Sequence, residues 1–575
     1  MVRITKIVAI FLLTAAQEAL SAPVDNENAV LNGTNSELGA VSQPEFAEGT
    51  NSAASSDELV PGEERAVSVG NELQDREEKS GNTRRITLIN ATPYRWVRQS
   101  MSQYQIPDWN DAWPEYIESG DAFVAESNRY EGKYGRDTGG EVQYKLEGTC
   151  EDMGFEIKYN PGRAKLPDVR IKYLGALQTR WTPKGSEVNL GAYVVTGGVN
   201  WLLAGPENDF RSTNTPIGWM QEQIKDIGQY PLNQIVVPRA HHTGMNQGRT
   251  GVGVVYDETT LTQTRYPYVQ MRDGGARVLD FRPYERSSNK MSAGHFSVIA
   301  NLHHGMIGIT LQEIINDINQ FLEENPGEMV ILDLHDKESW VGWSSYRFLQ
   351  SRKFRPFEPE NMRRLFKELE GLKNRFNLST NAVDVHTRPL NDFIGDGKSA
   401  VLIHIPDRWA KDKSFPGAEN GYVSNRNFPR TGYWSDTDAA NQLQAEQTTT
   451  LSLKKNSRGG QIHDSQWVLR LATVQYIFPV LSLTDLARAA WGRMYGGIWN
   501  GSNDQVYPNW ISLDAYQTED ARNLVMLMNR CLVARKCGKL GGKVPEAADL
   551  ELPACKAKAA AEATAKGQSK PKTTP

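Results

Sequence analysis

The sequence predicts an α/β chain: a TIM-like (β/α) barrel preceded by an all-β sandwich, with a disordered N-terminal leader and a low-complexity C-terminal tail. Three observations carry that expectation. From about residue 225 onward, buried-strand and helix patterns alternate. Between about 85 and 215, short β-rich runs are separated by Gly, Asn, Asp and Pro. At 575 residues, the chain also exceeds what one hydrophobic core usually supports.

Residues 1–22 have the layout of a secretory signal peptide. "MVRITK" supplies positive charge, "IVAIFLLTAA" is a ten-residue apolar run, and "QEALSA" ends in small residues with cleavage expected near Ala22. The run is too short to span a bilayer, and no later segment has the length of a transmembrane helix. The chain is therefore expected to be secreted (extracellular). Residues 23–84 are rich in Asn, Ser, Gly and Glu, with Phe46 as the one aromatic, and cannot bury enough surface to offset their ordering entropy. They are expected to be a disordered linker.

In residues 85–215, "RRITLINATPYRWV", "GFEIKYN", "DVRIKYLG" and "GAYVVTGGVNWLLAG" are spaced as the strands of a sandwich. The Trp and Tyr residues of this segment are expected to form its core. Residues 216–535 carry the barrel pattern. "NQIVV" ends before His241, "ARVLDF" carries Asp280 and runs into Arg282, and "EMVILDLHD" ends in His335 and Asp336. "TLQEIINDINQFLEENPG" predicts the clearest helix. Leu311, Ile314, Ile315, Ile318, Phe321 and Leu322 make one apolar face, Thr310 and Glu313 form a capping box, and Pro326-Gly327 closes it. "SAVLIHIPD" and "NWISLDAY" repeat the motif of an apolar run ending in polar groups. In a barrel, such strand ends share one face, where catalytic groups collect. A doubly wound sheet would also place ligands at strand ends, and the pattern prefers the barrel. Residues 536–575 end as an Ala/Lys-rich tail.

A net charge of −5 argues against a nucleic-acid partner, which would call for a basic stripe. The four cysteines suit an oxidising compartment. Cys531 and Cys537 are close enough to pair locally, which would leave Cys150 and Cys555 to pair or stay free; the sequence leaves all three connectivities open, and no spacing matches a zinc site. Sequons at Asn32, Asn90, Asn377 and Asn500 make the secreted chain a candidate glycoprotein.

Six of the nine histidines fall between 241 and 335, in two adjacent pairs, His241-His242 and His303-His304, with His295 and His335. Histidines from different strands, a fixed cation and nearby carboxylates can cleave a phosphodiester. One histidine takes a proton from the attacking hydroxyl, another gives one to the leaving oxygen, and an arginine fork matches two phosphate oxygens.

The motifs "VVPRAHHTG", "GGARVLDFRPY", "LHHGMIGITLQEIINDINQFLEENPGEMVILDL" and "YPNWISLDAY" follow one another over some 300 residues. In that order they resemble the catalytic X domain of phosphatidylinositol-specific phospholipase C, in its metal-independent bacterial type. The resemblance implies a phosphoric diester hydrolase or lyase acting on a phospholipid head group at a membrane surface. It implies His241 as general base, oriented by Asp514, and His304 as general acid. Arg282 would be the phosphate clamp, with Asp280 supporting it or the attacking hydroxyl. No metal and no other cofactor is implied, because Arg282 stands where the calcium-dependent relatives carry a metal-binding carboxylate.

The chain departs from that pattern at two substrate-facing positions. His242 replaces an Asp that would couple to the acid, leaving His304 to find another partner such as Asp336, and His335 replaces a Lys. The basic residue expected after "AVLIHI" is absent. His303 is expected to be structural, and His295, His386, His404 and His463 to be surface or satisfied core. The alternative is therefore a secreted binding or effector protein with a phospholipase-like fold and altered or lost catalysis. Glu63, Glu64 and Arg65 in "GEERAV" are similar to the Glu-Glu-Arg element of secreted oomycete effectors, without the upstream Arg-x-Leu-Arg.

Overall fold

A computed structural model describes residues 83–545, apart from 105, 107–108, 129–138, 161–167, 193–197, 253–254, 287, 300–301, 336–339, 342–354, 455–457, 473–480 and 517. The signal-peptide segment, the leader with Asn32 and Glu63–Arg65, Asp336, Cys555 and the Ala/Lys tail lie outside the described residues.

Alternation of apolar and polar residues builds the N-terminal sandwich. In Gly139–Glu147, Val142, Tyr144 and Leu146 are buried while Glu141, Lys145 and Glu147 are exposed, as a strand with one covered face requires. That strand sits in a six-stranded antiparallel sheet, in the order Tyr116–Ile117, Arg95–Tyr104, Gly139–Glu147, Met153–Asn160, Asp168–Gly175 and Glu187–Ala192. A second sheet places Thr83–Ala91 between Ala122–Asn128 and Val199–Ala204. The aromatic residues fill the space between the sheets: Phe155 stands 4.9 Å from Trp96 and 4.5 Å from Trp201, ring centre to ring centre.

The strand Val199–Ala204 is buried throughout because each of its faces packs into a core. Trp201 and Leu203 face the sandwich core, whereas Leu202 and Ala204 join the core of the barrel. The helix Leu483–Gly501 lies against this sheet, with Trp499 Nε1 donating to Gly120 O at 2.8 Å and Ala122 N donating to Asn500 Oδ1 at 3.2 Å.

The barrel is a curled sheet of eight parallel strands. Their spatial order is Tyr422–Ser424, Ala400–Ile405, Met329–Leu334, Val278–Phe281, Val237–Ala240, Trp510–Leu513, Ile462–Trp467 and Arg430–Tyr433. The two edge strands follow one another in the chain without pairing, so this TIM-like barrel is left open at that seam. The helix Leu311–Glu324 forms with the expected capping box, and all six residues of its predicted apolar stripe are buried. A separate sheet carries the antiparallel hairpin Met291–Ile299 and Leu302–Thr310. His303 and His304 therefore lie at the start of a hairpin strand, not at the end of a barrel strand.

Cys531 and Cys537 form a disulfide, and Cys150 is also disulfide-bonded. Packing continues past the disulfide to the buried Leu540 and Val544. Among the described sequons, Asn90 is fully buried and its amide donates to Tyr94 O at 2.8 Å and Ile117 O at 3.0 Å, which leaves no room for a glycan in this fold. Asn377 and Asn500 are exposed. No helix among the described residues is long and apolar enough to cross a membrane.

Candidate active site

The barrel strands carry polar residues at i and i+2, which in a strand share one side. Two levels result. Arg239, Asp280, Asp333 and Ser512 lie within the strands; His241, Arg282, His335 and Asp514 follow two residues later, at the C-terminal ends. The parallel register aligns the lower level, with Arg239 opposite Ser512, Asp280 opposite Asp333, and Asp333 opposite His404.

At the upper level, His241 Nδ1 lies 2.8 Å from Asp514 Oδ1, and His241 Nε2 lies 3.1 Å from Arg282 Nη2. The carboxylate can only accept, which places the imidazole proton on Nδ1 and leaves the Nε2 lone pair facing the guanidinium. Arg282 Nη2 is also 3.4 Å from Asp280 Oδ2. An imidazole lone pair and a permanent cation thus stand side by side at the mouth of the barrel. That arrangement can take a proton from a hydroxyl while holding an anionic group next to it.

The segment after the Val237–Ala240 strand is a tight turn. His242 has φ 45° and Gly244 φ 93°, both left-handed. A Cβ at Gly244 would come 2.8 Å from the Ala293 Cβ, so glycine is required on both counts. For a non-glycine residue, the His242 conformation costs roughly 1–3 kcal/mol. It is held by its own N–H donating to Asp280 Oδ2 at 3.1 Å and by Thr243 N donating to Asp280 O at 2.6 Å.

His242 is buried, its Nδ1 has no hydrogen-bond partner among the described residues, and its ring stands 4.2 Å from those of both His241 and His295. Burial first, and then the charge of Arg282, hold His242 well below the ordinary histidine range, so it is neutral. His335 keeps some solvent contact as a residue, yet its Nδ1 is buried. Burial, followed by Arg282, pushes it down to about 3. Between that value and about 6.5 the unfolded chain binds this proton and the folded chain does not, so stability rises with pH across the window. Acidification from about pH 6.5 toward 3 is expected to destabilise the fold by up to about 1.4 kcal/mol per pH unit for this group. His335→Gln should flatten the slope, read as urea midpoints at a series of pH values.

Burial would raise the Asp280 carboxyl, but Arg239 and then Arg282 overcome it and hold Asp280 well below the usual carboxylate range. Asp333 is depressed in the same way against its burial, by Arg430 and Arg239. His241, His242 and Asp280 also have donor atoms within 4.8 Å of one another, the one set of this kind among the described residues. Arg282 sits among those donors, so a metal ion there would first have to displace a fixed positive charge.

His241, Arg282, Asp280, Asp514, His242 and His335, all expected from the sequence, are brought together at this end of the barrel. The His304 backbone pairs with Ser297, and its side chain lies outside what the structure describes, as does Asp336. Sequence reasoning missed His295, whose Nδ1 lies 2.8 Å from Thr260 O while its ring packs on His242. It also missed the buried cation Arg239 and the half-buried Arg430. The spacing Arg239-x-His241, parallel to Asp280-x-Arg282 and Asp333-x-His335, was the available signal. His404 is core, bonded through Nδ1 to Asp333 Oδ1 at 2.9 Å.

No family model matches the chain. Among solved structures, three of phosphatidylinositol-specific phospholipase C from Staphylococcus aureus are similar at 15–16% identity, over 55% of this chain and 97–98% of theirs, with TM-scores of 0.39–0.40. One of these is a point mutant and another carries pentafluoro-phenylalanine. The likeness is distant and carries no information on the role of any single residue.

Proposed function

We propose that the chain is a secreted phosphodiesterase that cleaves a phosphatidylinositol-type or glycosyl-phosphatidylinositol lipid at its head group, by histidine acid–base catalysis and without a metal. The observation that carries this reading is the chain of contacts Asp514–His241–Arg282 at the C-terminal end of the barrel. His241 takes the proton of an attacking hydroxyl at Nε2, and Asp514 stabilises the imidazolium that forms. Arg282 turns its fork to the phosphate oxygens and neutralises the charge that builds on them. His304 is assigned the leaving-group proton on the sequence resemblance. Metal independence rests on Arg282, which supplies the positive charge a cation would otherwise bring. The disulfides support an oxidising compartment.

A second reading keeps the fold as a binding or effector protein. It is favoured by His242, a neutral buried imidazole whose Nδ1 has no partner among the described residues, where the resemblance calls for a carboxylate. One assay separates the two. The purified chain is incubated with phosphatidylinositol and with lysophospholipids, with and without chelator, beside His304→Ala. The enzymatic reading expects turnover that survives chelation and is lost with His304. Turnover that vanishes with chelator and returns with calcium would overturn the metal-free mechanism. No turnover of any lipid would leave the binding reading.

A further inference from the structure

We propose that Arg239, buried one level below the site, is a positioning residue that sets Arg282 against His241 through Asp280. This rests on the catalytic reading only for what Arg282 is used for, not for how it is held.

Arg239 is almost wholly buried on the strand Val237–Ala240, two residues before His241. Such a charge is tolerated in a protein interior only when it is paired and hydrogen-bonded. Here it is over-provided. Its Nη2 lies 2.7 Å from Asp333 Oδ2 and 3.3 Å from Asp280 Oδ1, and its Nη1 lies 2.9 Å from Ser512 Oγ and 3.5 Å from Asp464 Oδ2. Two further contacts fix those partners rather than Arg239 itself: Ser512 Oγ donates to Asp464 Oδ1 at 2.5 Å, and His404 holds Asp333. The guanidinium therefore has one orientation available.

The carboxylate of Asp280 is the link upward. One oxygen faces Arg239, and the other faces both Arg282 Nη2 at 3.4 Å and the backbone N–H of His242 at 3.1 Å. With a fixed cation 3.3 Å from one oxygen, the carboxylate is drawn to that side by charge, and its other oxygen faces the site. That oxygen anchors the two groups flanking His241: the guanidinium at its Nε2 and the strained turn that follows it. Without Arg239, Asp280 would be a buried anion whose one remaining cation among the described residues is Arg282. The expected response is for Arg282 to be drawn down onto Asp280 and away from His241. Residues one layer out from a site act in this way by orienting the groups that do the chemistry.

The test is the imidazole signal of His241 in the full chain labelled with 15N-histidine, assigned by loss in His241→Ala. Arg282→Gln defines the signal of a His241 Nε2 that has lost its N–H donor. Arg239→Lys, which keeps the charge but not the fork, is expected to move the wild-type signal toward that reference. The double variant is expected to move no further, since both changes break one contact. Ser512→Ala leaves every buried charge paired and removes one hydrogen bond to Arg239; it is expected to give a smaller shift in the same direction. Folded Arg239→Lys with a wild-type His241 signal would overturn the proposal. If that variant does not fold, an unmoved signal in folded Ser512→Ala would do so. The ring signal needs no substrate, so a chain that turns over no lipid yet shows the shift loses the function proposed above and keeps this assignment. Where lipid is turned over, Arg239→Lys should lower kcat/KM by about ten- to a hundredfold at an undiminished folded fraction.

Discussion

His241→Ala is expected to lower turnover of a phosphatidylinositol-type diester by about 10²–10⁴-fold, the range of one general base. The loss should fall on kcat and kcat/KM together, because the base acts in the transition state and not in binding the head group. Asp514→Asn is expected to approach it. Asp514 fixes the proton on Nδ1, and an uncharged amide in its place gives no electrostatic support to the imidazolium that forms at His241. Steady-state rates for both variants beside the wild type check this, with thermal unfolding to show that the fold is kept. Undiminished turnover in His241→Ala would refute the assignment outright.

Glu328→Ala is expected to cost about 3–5 kcal/mol of stability, the usual penalty for stranding a buried charge. Arg277 and Glu328 are both fully buried and pair at 2.7 Å. Arg277 also donates to Met271 O at 2.9 Å, Ala276 O at 3.0 Å and Ile217 O at 2.7 Å, while Glu328 Oε1 accepts from Gln221 N at 2.9 Å. The pair ties the chain that enters the barrel to the starts of the Val278–Phe281 and Met329–Leu334 strands. Those starts lie at the face opposite the histidines, where a barrel keeps stability rather than chemistry. The loss should therefore appear in the urea midpoint and not in kcat measured well below it. A drop in kcat without a shift in midpoint would contradict this division.

The parts of the fold that were legible are those where periodicity states the answer. The helix at 311–324 has one apolar stripe, one capping pair and one stop, and each did what its residues require. The alternation in Gly139–Glu147 predicts a half-covered strand and finds one. Within the site, the strand ends bearing His241, Arg282, His335 and Asp514 were legible because polar groups closing an apolar run are conspicuous. For Arg239 the spacing two residues before His241 was legible but its burial was not, since an arginine inside a four-residue strand carries no local sign of being buried. Its neutralisation comes from Asp280, Asp333 and Asp464 on three other strands. His295 was hidden for a related reason. It belongs to a hairpin outside the barrel sheet, and only packing between the two sheets brings it to His242.

The open seam between Tyr422–Ser424 and Arg430–Tyr433 has its own consequence. Backbone hydrogen bonds do not join the two margins of the curled sheet. Arg430, on one margin strand, instead reaches Asp333, two strands in from the other margin, at 3.5 Å. The barrel is thus laced across its hollow by charge where a closed barrel would be stitched around its rim. Arg430→Gln should cut that lacing, and amides of the two margin strands should then exchange with solvent faster, ahead of those of the central strands.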